Sequence, residues 1–398
     1  MRPYKITDDI YWVGAVDWNT IDFHGYSLAR LGTTYNAYLF LGDKVTLFDT
    51  VKDSYRKAFM ESISQVIDLD KIDIVVSNHL ELDHSGCLAD IVEAAKPEKI
   101  ICSKMGKKVM GRYFPQSADW PVETMSTGDT LDLGNRRIKF LEMKMVHWPD
   151  SMASYIPEEK ILITNDAFGQ NWAATERWAD EVDRTLLEQK MSEYWANIVN
   201  PFAANVKKVV QAIEEQNLEI DMILPDHGFM FRGDDVQFAI NTYKEYVEEK
   251  PANRAVVVFD TMWHSTEQMA EAVAEGLHEE GVSVRVMHLK SFHHSDVMSE
   301  VFKAGAVCVG SPTHNNGIMP LVADMLTYMK GLKPKNKVAA GFGSYGWSGE
   351  SMKVITEWLE SMNLEVVEGV RLNYGPADDL ESCRELGRNV GKALKSKL

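Results

Sequence analysis

The chain has 398 residues, of which 45% are hydrophobic, so it is long enough to build two sizeable cores and favours two domains over one. Its formal net charge of -17 argues against binding to nucleic acid or to an anionic membrane. The sequence shows neither a signal peptide nor a membrane-spanning run, so we expect a cytoplasmic protein. Its four cysteines form no C-x-x-C pair, which argues against a disulfide framework or a fused iron–sulfur module.

The first 250 residues read as short strands with interspersed helices, which predicts sheets covered by helices in layers. Two apolar runs around the tight turn at Gly42 and Asp43 predict a hairpin. The predicted strands of this region are 10–13, 35–40, 45–49, 72–77, 100–102, 138–143, 154–156, 161–164 and 220–224. Helical patterns cover 55–66, about 180–215 and 234–249.

Four candidate metal ligands follow the predicted strand at 72–77, namely His79, Glu81, Asp83 and His84. Residues 79, 81 and 83 share one side of an extended chain, whereas His84 joins them only if the backbone turns at Asp83. Imidazole and carboxylate together suit zinc, iron or manganese, and the absence of thiols argues against an iron–sulfur cluster. The alternative is a polar loop that caps a helix, with Ser85 as the N-cap.

Three further candidate ligands, His147, Asp166 and His227, stand where other predicted strands end. Each one taken singly is more often a hydrogen-bonded loop residue. Together with the first cluster they resemble the metallo-β-lactamase fold, whose ligands come from loops at strand ends on one edge of an αββα sandwich. Hydrolases of that fold usually have His-x-His-x-Asp-His, whereas this chain has Glu81 in place of the second histidine.

The carboxylate of Glu81 changes the expected metal. With Asp83 and Asp166 it supplies three negative charges, which balance most of the charge on two ferrous ions and favour iron over zinc. The expected ligands are His79, Glu81 and His147 for the first iron, Asp83, His84 and His227 for the second, and Asp166 as the bridge.

Two more side chains are candidate hydrogen-bond donors over an open metal face. His24 lies in a polar segment near the N-terminus, and Tyr194 lies in the helical stretch that begins near residue 180. From the sequence alone, a loop histidine and a half-buried helical tyrosine explain these two residues equally well.

A domain boundary is predicted at 250/251, because residues 251–254 break a charged helix. With this boundary, the predicted domain 1–250 contains all the candidate metal ligands. Domain 251–398 alternates five strands with five helices, which predicts a doubly wound parallel sheet. The predicted strands are 255–259, 284–289, 306–310, 337–342 and 364–371, and the helices are 266–280, 297–303, 319–329, 351–362 and 377–394.

Three polar loops follow the first, third and fourth of these strands, where a doubly wound sheet binds its ligand. The first loop leads into a helix, as phosphate-binding loops do, and glycines around Trp347 let its indole stack on a planar ring. Motifs for dinucleotides and nucleoside triphosphates are absent. This half resembles flavodoxin, which implies FMN, although His264 stands where glycine is common; the alternative is a domain without flavin. The candidate FMN residues are Thr261, Met262, Trp263, His264, Ser265, Thr266, Ser311, Pro312, Thr313, His314, Asn315, Asn316, Gly317, Ser344, Tyr345, Gly346, Trp347, Ser348 and Gly349.

A metallo-β-lactamase-like domain with Glu81, followed directly by a flavodoxin-like domain, resembles the flavodiiron proteins over essentially the entire chain. The resemblance implies a non-haem diiron centre that reduces dioxygen to water, nitric oxide to nitrous oxide, or both. Electrons would pass through FMN from an external donor, usually rubredoxin and occasionally a deazaflavin. The resemblance also implies a head-to-tail homodimer or a dimer of dimers, in which the flavin of one chain faces the irons of another.

Two competing hypotheses remain for the function. The first is a zinc hydrolase that uses metal-bound hydroxide and carries the second domain as a binding module. The second is an electron-transfer flavoprotein with a vestigial first domain, which the complete set of candidate ligands argues against.

Overall fold

The computed structural model describes residues 2–375 and 379–398. The strands of the first 250 residues are β1 (Tyr4–Lys5), β2 (Ile10–Trp12), β3 (Ala15–Asp17), β4 (Asp22–Phe23), β5 (Ser27–Leu28), β6 (Thr33–Tyr35), β7 (Tyr38–Phe40), β8 (Thr46–Phe48), β9 (Ile74–Val76), β10 (Lys99–Ser103), β11 (Val122–Met125), β12 (Thr130–Asp132), β13 (Arg137–Glu142), β14 (Met152–Ile156), β15 (Ile161–Ile163), β16 (Met222–Leu224) and β17 (Phe231–Arg232). The α-helices there are α1 (Arg56–Ser64), α2 (Leu82–Ser85), α3 (Leu88–Ala95), α4 (Lys104–Tyr113), α5 (Arg184–Tyr194), α6 (Ala203–Glu215) and α7 (Asp234–Glu248).

The remaining strands are β18 (Arg254–Phe259), β19 (Ser283–His288), β20 (Ala306–Gly310), β21 (Val338–Tyr345) and β22 (Glu365–Asn373). The remaining α-helices are α8 (Ser265–Glu279), α9 (His294–Phe302), α10 (Pro320–Leu332), α11 (Ser351–Ser361) and α12 (Leu380–Lys395). Short 3-10 helices lie at Asp53–Tyr55, Leu69–Lys71, Pro115–Asp119, Ala179–Glu181 and Asn200–Phe202, and a π-helix lies at Trp195–Val199.

The chain forms two compact units. The first comprises residues up to 23, 29–194 and 202–247. The second comprises 24–28, 195–201 and the residues from 248 onward. Two short segments from the first 250 residues therefore cluster with the second unit, and no local sequence pattern indicates this. The division into domains at 250/251 stays a prediction.

The first unit contains two large sheets. One has the strand order β1-β2-β7-β8-β9-β10-β11, and the other has the order β12-β13-β14-β15-β16-β17. Apolar side chains of both sheets share one core, which includes Trp12, Phe48, Phe140 and Leu224. A second core joins strand residues such as Leu39 to helices α1 and α3. This layering agrees with the predicted sandwich.

The predicted strand at 35–40 is interrupted. Strand β6 pairs with β3, whereas β7 joins the large sheet, and the buried Asn36 separates them. The Asn36 side-chain amide donates to the carbonyl oxygens of Pro225 at 2.7 Å and Gly228 at 3.1 Å. These bonds hold the loop that carries His227, and the Asn36 backbone amide donates to the Asp226 carbonyl oxygen of that loop at 2.7 Å instead of to a neighbouring strand.

The predicted helical stretch at 180–215 is also interrupted. Helix α5 ends at Tyr194, and the π-helix and a 3-10 helix separate it from α6. Pro201 lies in the 3-10 helix, where proline is incompatible with a continuous α-helix. Helix α4 was not predicted, because two glycines weaken its pattern. Its N-cap Ser103 accepts a hydrogen bond from the Gly106 amide at 2.9 Å.

The second unit contains a five-stranded sheet in the order β19-β18-β20-β21-β22, and all of its pairings are parallel. Buried residues pack on both faces of this sheet, so the predicted doubly wound sheet is confirmed. The order reverses between β18 and β20, which places a ligand-binding crevice at their carboxyl ends. The final helix was predicted to begin at residue 377, but 376–378 lie outside the described residues.

Over 2–375 and 379–398, no helix is both long enough and apolar enough to span a bilayer.

Candidate metal centre and cofactor pocket

The loop after β9 is held at its start by a buried carboxylate. Asp49 accepts hydrogen bonds from the backbone and side-chain amides of Asn78 at 2.7 and 2.8 Å. Glu81 has an extended backbone and α2 begins at Leu82, so Asp83 lies in a helix and not on an extended chain as predicted. The turn therefore starts one residue before the expected position, and it brings His84 into the cluster.

Asp166, which follows β15, lies at the centre of the candidate ligands and is buried. Its Oδ2 lies 3.3 Å from His79 Nε2 and 3.5 Å from His147 Nε2. Its Oδ1 lies 3.3 Å from the Nε2 atoms of both His84 and His227. The two oxygens of one carboxylate thus face two different pairs of imidazoles.

The remaining carboxylates divide between the same two groups. Glu81 Oε2 lies 3.3 Å from His79 Nε2 and 3.1 Å from His147 Nε2. Asp83 Oδ2 lies 3.3 Å from His227 Nε2. Within each group the potential ligand atoms lie within 4.8 Å of one another. The two groups are His79, Glu81, His147 and Asp166 on one side and Asp83, His84 and His227 on the other.

Two of the imidazole rings are oriented by oxygen acceptors that contact Nδ1, the ring nitrogen that faces away from the cluster. His79 Nδ1 lies 3.1 Å from Asp150 Oδ2, and Asp150 also accepts from the Leu80 amide at 2.8 Å. His227 Nδ1 lies 2.6 Å from the Thr34 carbonyl oxygen. Because a carbonyl only accepts, the His227 ring donates through Nδ1 and turns Nε2 toward the cluster.

His84 is held through its backbone. Its carbonyl oxygen accepts from both the amide and the hydroxyl of Thr50, each at 2.8 Å. Its ring lies 4.6 Å from the His227 ring, measured between centroids, and its Nδ1 lies 3.6 Å from Asp226 Oδ2. The His84 side chain therefore points into the cluster.

The carboxylates of the cluster favour positive charge on their neighbours, as the pKa shifts of the ligand side chains show. Burial lowers the pKa of His147, but Asp166 and Glu81 outweigh burial and raise it to about 9. Burial likewise opposes protonation of His227, yet Asp166 and Asp83 raise its pKa to about 10. Burial raises the pKa of Asp166, whereas His84 and the neighbouring imidazoles hold it well below its usual range. Without a cation, the carboxylates thus favour the protonated forms of His147 and His227.

The side chains fit two cations. Among the described residues, His84 Nε2, Asp166 Oδ2 and His227 Nε2 are buried and form no hydrogen bond. A buried polar atom without a partner costs free energy, which a bound cation removes. Nitrogen and carboxylate donors in two groups that share Asp166 suit a pair of iron ions.

The two candidate donors differ in their surroundings. Tyr194 is buried at the end of α5, and its hydroxyl donates to Asp166 Oδ1 at 2.9 Å. His24 is exposed, has a left-handed φ of 57° and belongs to the 24–28 segment of the second unit.

The second unit contains a cavity of about 820 Å³ at the carboxyl ends of its strands. Its walls are polar loops that include exposed indoles, with Trp263 87% and Trp347 86% exposed. Ser265 is the first residue of the 15-residue helix α8, so the wall of the cavity includes backbone amides of a helix N-terminus. The lining residues are Thr261, Met262, Trp263, Ser265, Pro312, Thr313, His314, Asn315, Asn316, Ser344, Tyr345, Gly346, Trp347, Ser348, Tyr374 and Gly375.

Comparisons with known proteins agree with both halves of the chain. A flavodoxin family model matches residues 257–387, and a model described as the ODP family beta lactamase matches 33–228. The crystal structure of the flavodiiron protein from Giardia intestinalis is 32% identical, with a TM-score of 0.94 over 100% of this chain and 98% of that chain. Rubredoxin-oxygen oxidoreductase of Megalodesulfovibrio gigas is 49% identical over 401 residues, which cover 100% of both proteins.

The chain belongs to the flavodiiron protein family. Nitric oxide reductase of Moorella thermoacetica is a further relative, 40% identical over 397 residues, which cover 99% of each protein. The predicted fold class, a metallo-β-lactamase-like sandwich followed by a flavodoxin-like sheet, is confirmed.

Some predicted cofactor residues of this flavodiiron protein lie behind the cavity wall. Thr266 is buried and shares a hydrogen bond with Ser344 at 3.0 Å. Ser311 donates to the Pro312 carbonyl and accepts from the Met319 amide, which shapes the second loop. The other predicted residues outside the lining are His264, which has φ +67° at the N-cap of α8, and the glycines Gly317 and Gly349.

Sequence reasoning missed Tyr374 and Gly375, which follow β22 at the same sheet edge. The Tyr374 amide donates to the Tyr345 carbonyl at 2.7 Å, and the Asn373 side chain donates to Gly346 O at 2.8 Å. An aromatic residue followed by glycine at a strand end also occurs at Tyr345 and Gly346, so the signal was present. The predicted cofactor site includes only the loops after the first, third and fourth strands, so it leaves out this pair after the fifth strand.

Proposed function

We propose that this flavodiiron protein reduces dioxygen, nitric oxide or both at a diiron centre, with electrons passing through FMN from an external rubredoxin-like donor. The observation that carries the proposal is Asp166, whose two carboxylate oxygens each face a separate pair of imidazoles at 3.3–3.5 Å. Relatives aligned over nearly the whole chain are named as oxygen and nitric oxide reductases.

The proposed ligand sets are those expected from the sequence. When bound, the iron pair supplies a site for reducing a diatomic gas, and FMN supplies electrons singly. Asp166 is the proposed bridge, and Asp150 and the Thr34 carbonyl would orient His79 and His227. The proposed iron ligands are His79, Glu81, Asp83, His84, His147, Asp166 and His227.

Tyr194 would place its hydroxyl proton at Asp166 Oδ1. Through this hydrogen bond it stabilises negative charge on the carboxylate and fixes its rotamer. Because both groups are buried, water does not compete for the bond. His24 remains a proposed donor to the reacting gas.

The cavity at 261–375 is the proposed FMN site. The hydroxyl of Ser265 and the first amides of α8 would hold the phosphate. Trp347 would stack on the isoalloxazine ring, and Tyr374 would cover the same cavity from the fifth strand. Both indoles of the pocket are exposed, so a flavin would bury apolar surface that the chain alone leaves in water.

The zinc hydrolase is less well supported. It uses the flavodoxin-like unit only as a binding module, whereas relatives aligned over nearly the whole chain are named as an oxidoreductase and a reductase. Metal analysis together with a visible spectrum separates the two, since only the reductase requires iron and flavin together.

The reductase is tested by anaerobic assays of purified protein with reduced rubredoxin as the donor. We expect about two irons and one FMN per chain and consumption of dioxygen, nitric oxide or both. His147→Ala should abolish consumption while FMN stays bound. Stoichiometric zinc with β-lactam or thioester hydrolysis would overturn the proposal.

The head-to-tail dimer is proposed from the family resemblance alone. A metal-deficient chain, His147→Ala, can be mixed with a flavin-deficient chain, Ser265→Glu, whose carboxylate would repel the FMN phosphate. If the flavin of one chain serves the irons of its partner, activity returns in mixed dimers. Mixed dimers that form and stay inactive would place the transfer within one chain.

A further inference from the structure

In the second unit, hydrogen bonds and ring contacts connect α9 to the segment at 24–28; we call this set of contacts the tie. His294, the first residue of α9, has its Nε2 2.7 Å from the Tyr26 carbonyl oxygen. Its Nδ1 lies 2.6 Å from Asp324 Oδ2 on α10. Each ring nitrogen of His294 therefore lies within hydrogen-bonding distance of an oxygen, one on each side of the ring. The ring is therefore fixed between a carboxylate and a main-chain carbonyl.

Further contacts join the same two parts of the unit. The Leu28 amide donates to the Ser295 hydroxyl at 3.2 Å. The Tyr328 ring, one turn after Asp324, lies 4.3 Å from the His294 ring and 6.4 Å from the Tyr26 ring. Hydrogen bonds and ring packing thus hold the segment at its middle and at its C-terminal end.

The segment needs such support because its backbone is strained. His24 has φ +57° and Gly25 has φ +79°, so two successive residues adopt left-handed conformations. For a residue other than glycine this conformation is unfavourable, and it persists only where surrounding contacts enforce it. The backbone conformation at residues 24 and 25 fixes the direction in which the His24 side chain leaves the turn, so contacts that hold the turn also set the position of His24.

We propose that His294, braced by Asp324, is a positioning residue that fastens the 24–28 turn and thereby sets where His24 presents its imidazole. His294 acts through His24 and not on the substrate. This inference rests on the proposed function for its catalytic consequence, because His24 is a proposed donor in gas reduction. Its structural part, the fastening of the turn, stands independently of that function.

The structural part is tested by hydrogen–deuterium exchange in the FMN-loaded, iron-loaded protein. His294→Ala should accelerate exchange of peptides covering residues 24–28 by about tenfold. His278→Ala is the control, because His278 is an exposed histidine in the last turn of α8. Unchanged exchange at 24–28 in His294→Ala would overturn the proposal, as would equal acceleration in the control.

The catalytic part is tested by a double-mutant cycle measured as kcat. His294→Ala and His24→Ala should each lower kcat by about tenfold, as outer-sphere partners commonly do. The double variant should be no slower than His24→Ala alone, because both changes remove the same contribution. If the loss of kcat in the double variant equals the product of the losses in the two single variants, His294 does not act through His24.

A conservative replacement distinguishes positioning from general damage. In His294→Gln with Asp324→Asn, the new amides can rebuild the chain of donors from residue 324 to the Tyr26 carbonyl. This pair should restore slow exchange at 24–28 and most of kcat, whereas His294→Ala with Asp324→Asn should not. Failure of the first pair to slow the exchange would overturn the proposed tie. If the wild-type protein is inactive but His294→Ala still accelerates exchange at 24–28, the proposed function is wrong while the proposed tie stands.

Discussion

Replacing Asp150 by Asn should weaken iron binding without changing the fold. Asp150 is buried, and its Oδ2 lies 3.1 Å from His79 Nδ1 while accepting from the Leu80 amide at 2.8 Å. Burial raises the pKa of Asp150, but His79 and the Leu80 amide hold it below its usual value, so the group is charged. Asparagine has nearly the same shape but removes that charge. Loss of such a partner commonly lowers metal affinity about 10–100-fold, or about 1.4–2.7 kcal/mol.

The assay is competition for ferrous iron between the protein and a chelator of known affinity, under anaerobic conditions. FMN content and the unfolding midpoint are recorded in parallel and should not change. Asp235→Asn is the matched control, since Asp235 is a buried carboxylate that pairs with Arg184 at the start of α7. An iron affinity of Asp150→Asn equal to that of the wild type would refute the role assigned to this carboxylate.

Three further changes test other parts of the account. Tyr194→Phe removes the 2.9 Å bond to Asp166 and should lower kcat about tenfold with full iron content; an unchanged kcat would make Tyr194 a packing residue. Tyr374→Ala should raise the Kd for FMN about tenfold by fluorescence titration, and an unchanged Kd would remove it from the site. Lys337→Met removes the ion-pair partner of the buried Glu249, 2.9 Å away, and leaves that carboxylate with only the Lys335 amide as a donor to Oε1. The change should lower the free energy of unfolding by about 3–5 kcal/mol in a denaturant titration; a loss below about 1 kcal/mol would show that the pair contributes little.

The candidate ligands were found from the sequence because each follows a strand end, where side chains of different strands meet. Alternation along an extended chain applies to residues 79 and 81 but is wrong for Asp83, which lies in the short helix α2 that begins at Leu82. The directions of Asp83 and His84 both depend on that helix. The supporting contacts of Asp150 and Thr34 were missed, because they join residues far apart in sequence.

The two units differ in how well their strands were predicted. In the second unit, buried strands alternate with amphipathic helices, and this local pattern fixes both element type and parallel pairing. In the first unit, the run at 35–40 is uniformly apolar apart from Asn36, so only the long-range bonds of Asn36 reveal the break. The recruitment of 24–28 into the second unit likewise depends on tertiary contacts with α9.

The central claim is tested most directly by following flavin reoxidation when anaerobically reduced protein is mixed with dioxygen or nitric oxide in a stopped-flow instrument. The account predicts rapid FMN reoxidation in the wild type with at least one of the gases, and reoxidation slower by about two orders of magnitude in Asp166→Ala, with FMN still bound. Equal rates in the two proteins would show that the flavin reacts directly with the gas, and that the cluster around Asp166 is not the site of reduction.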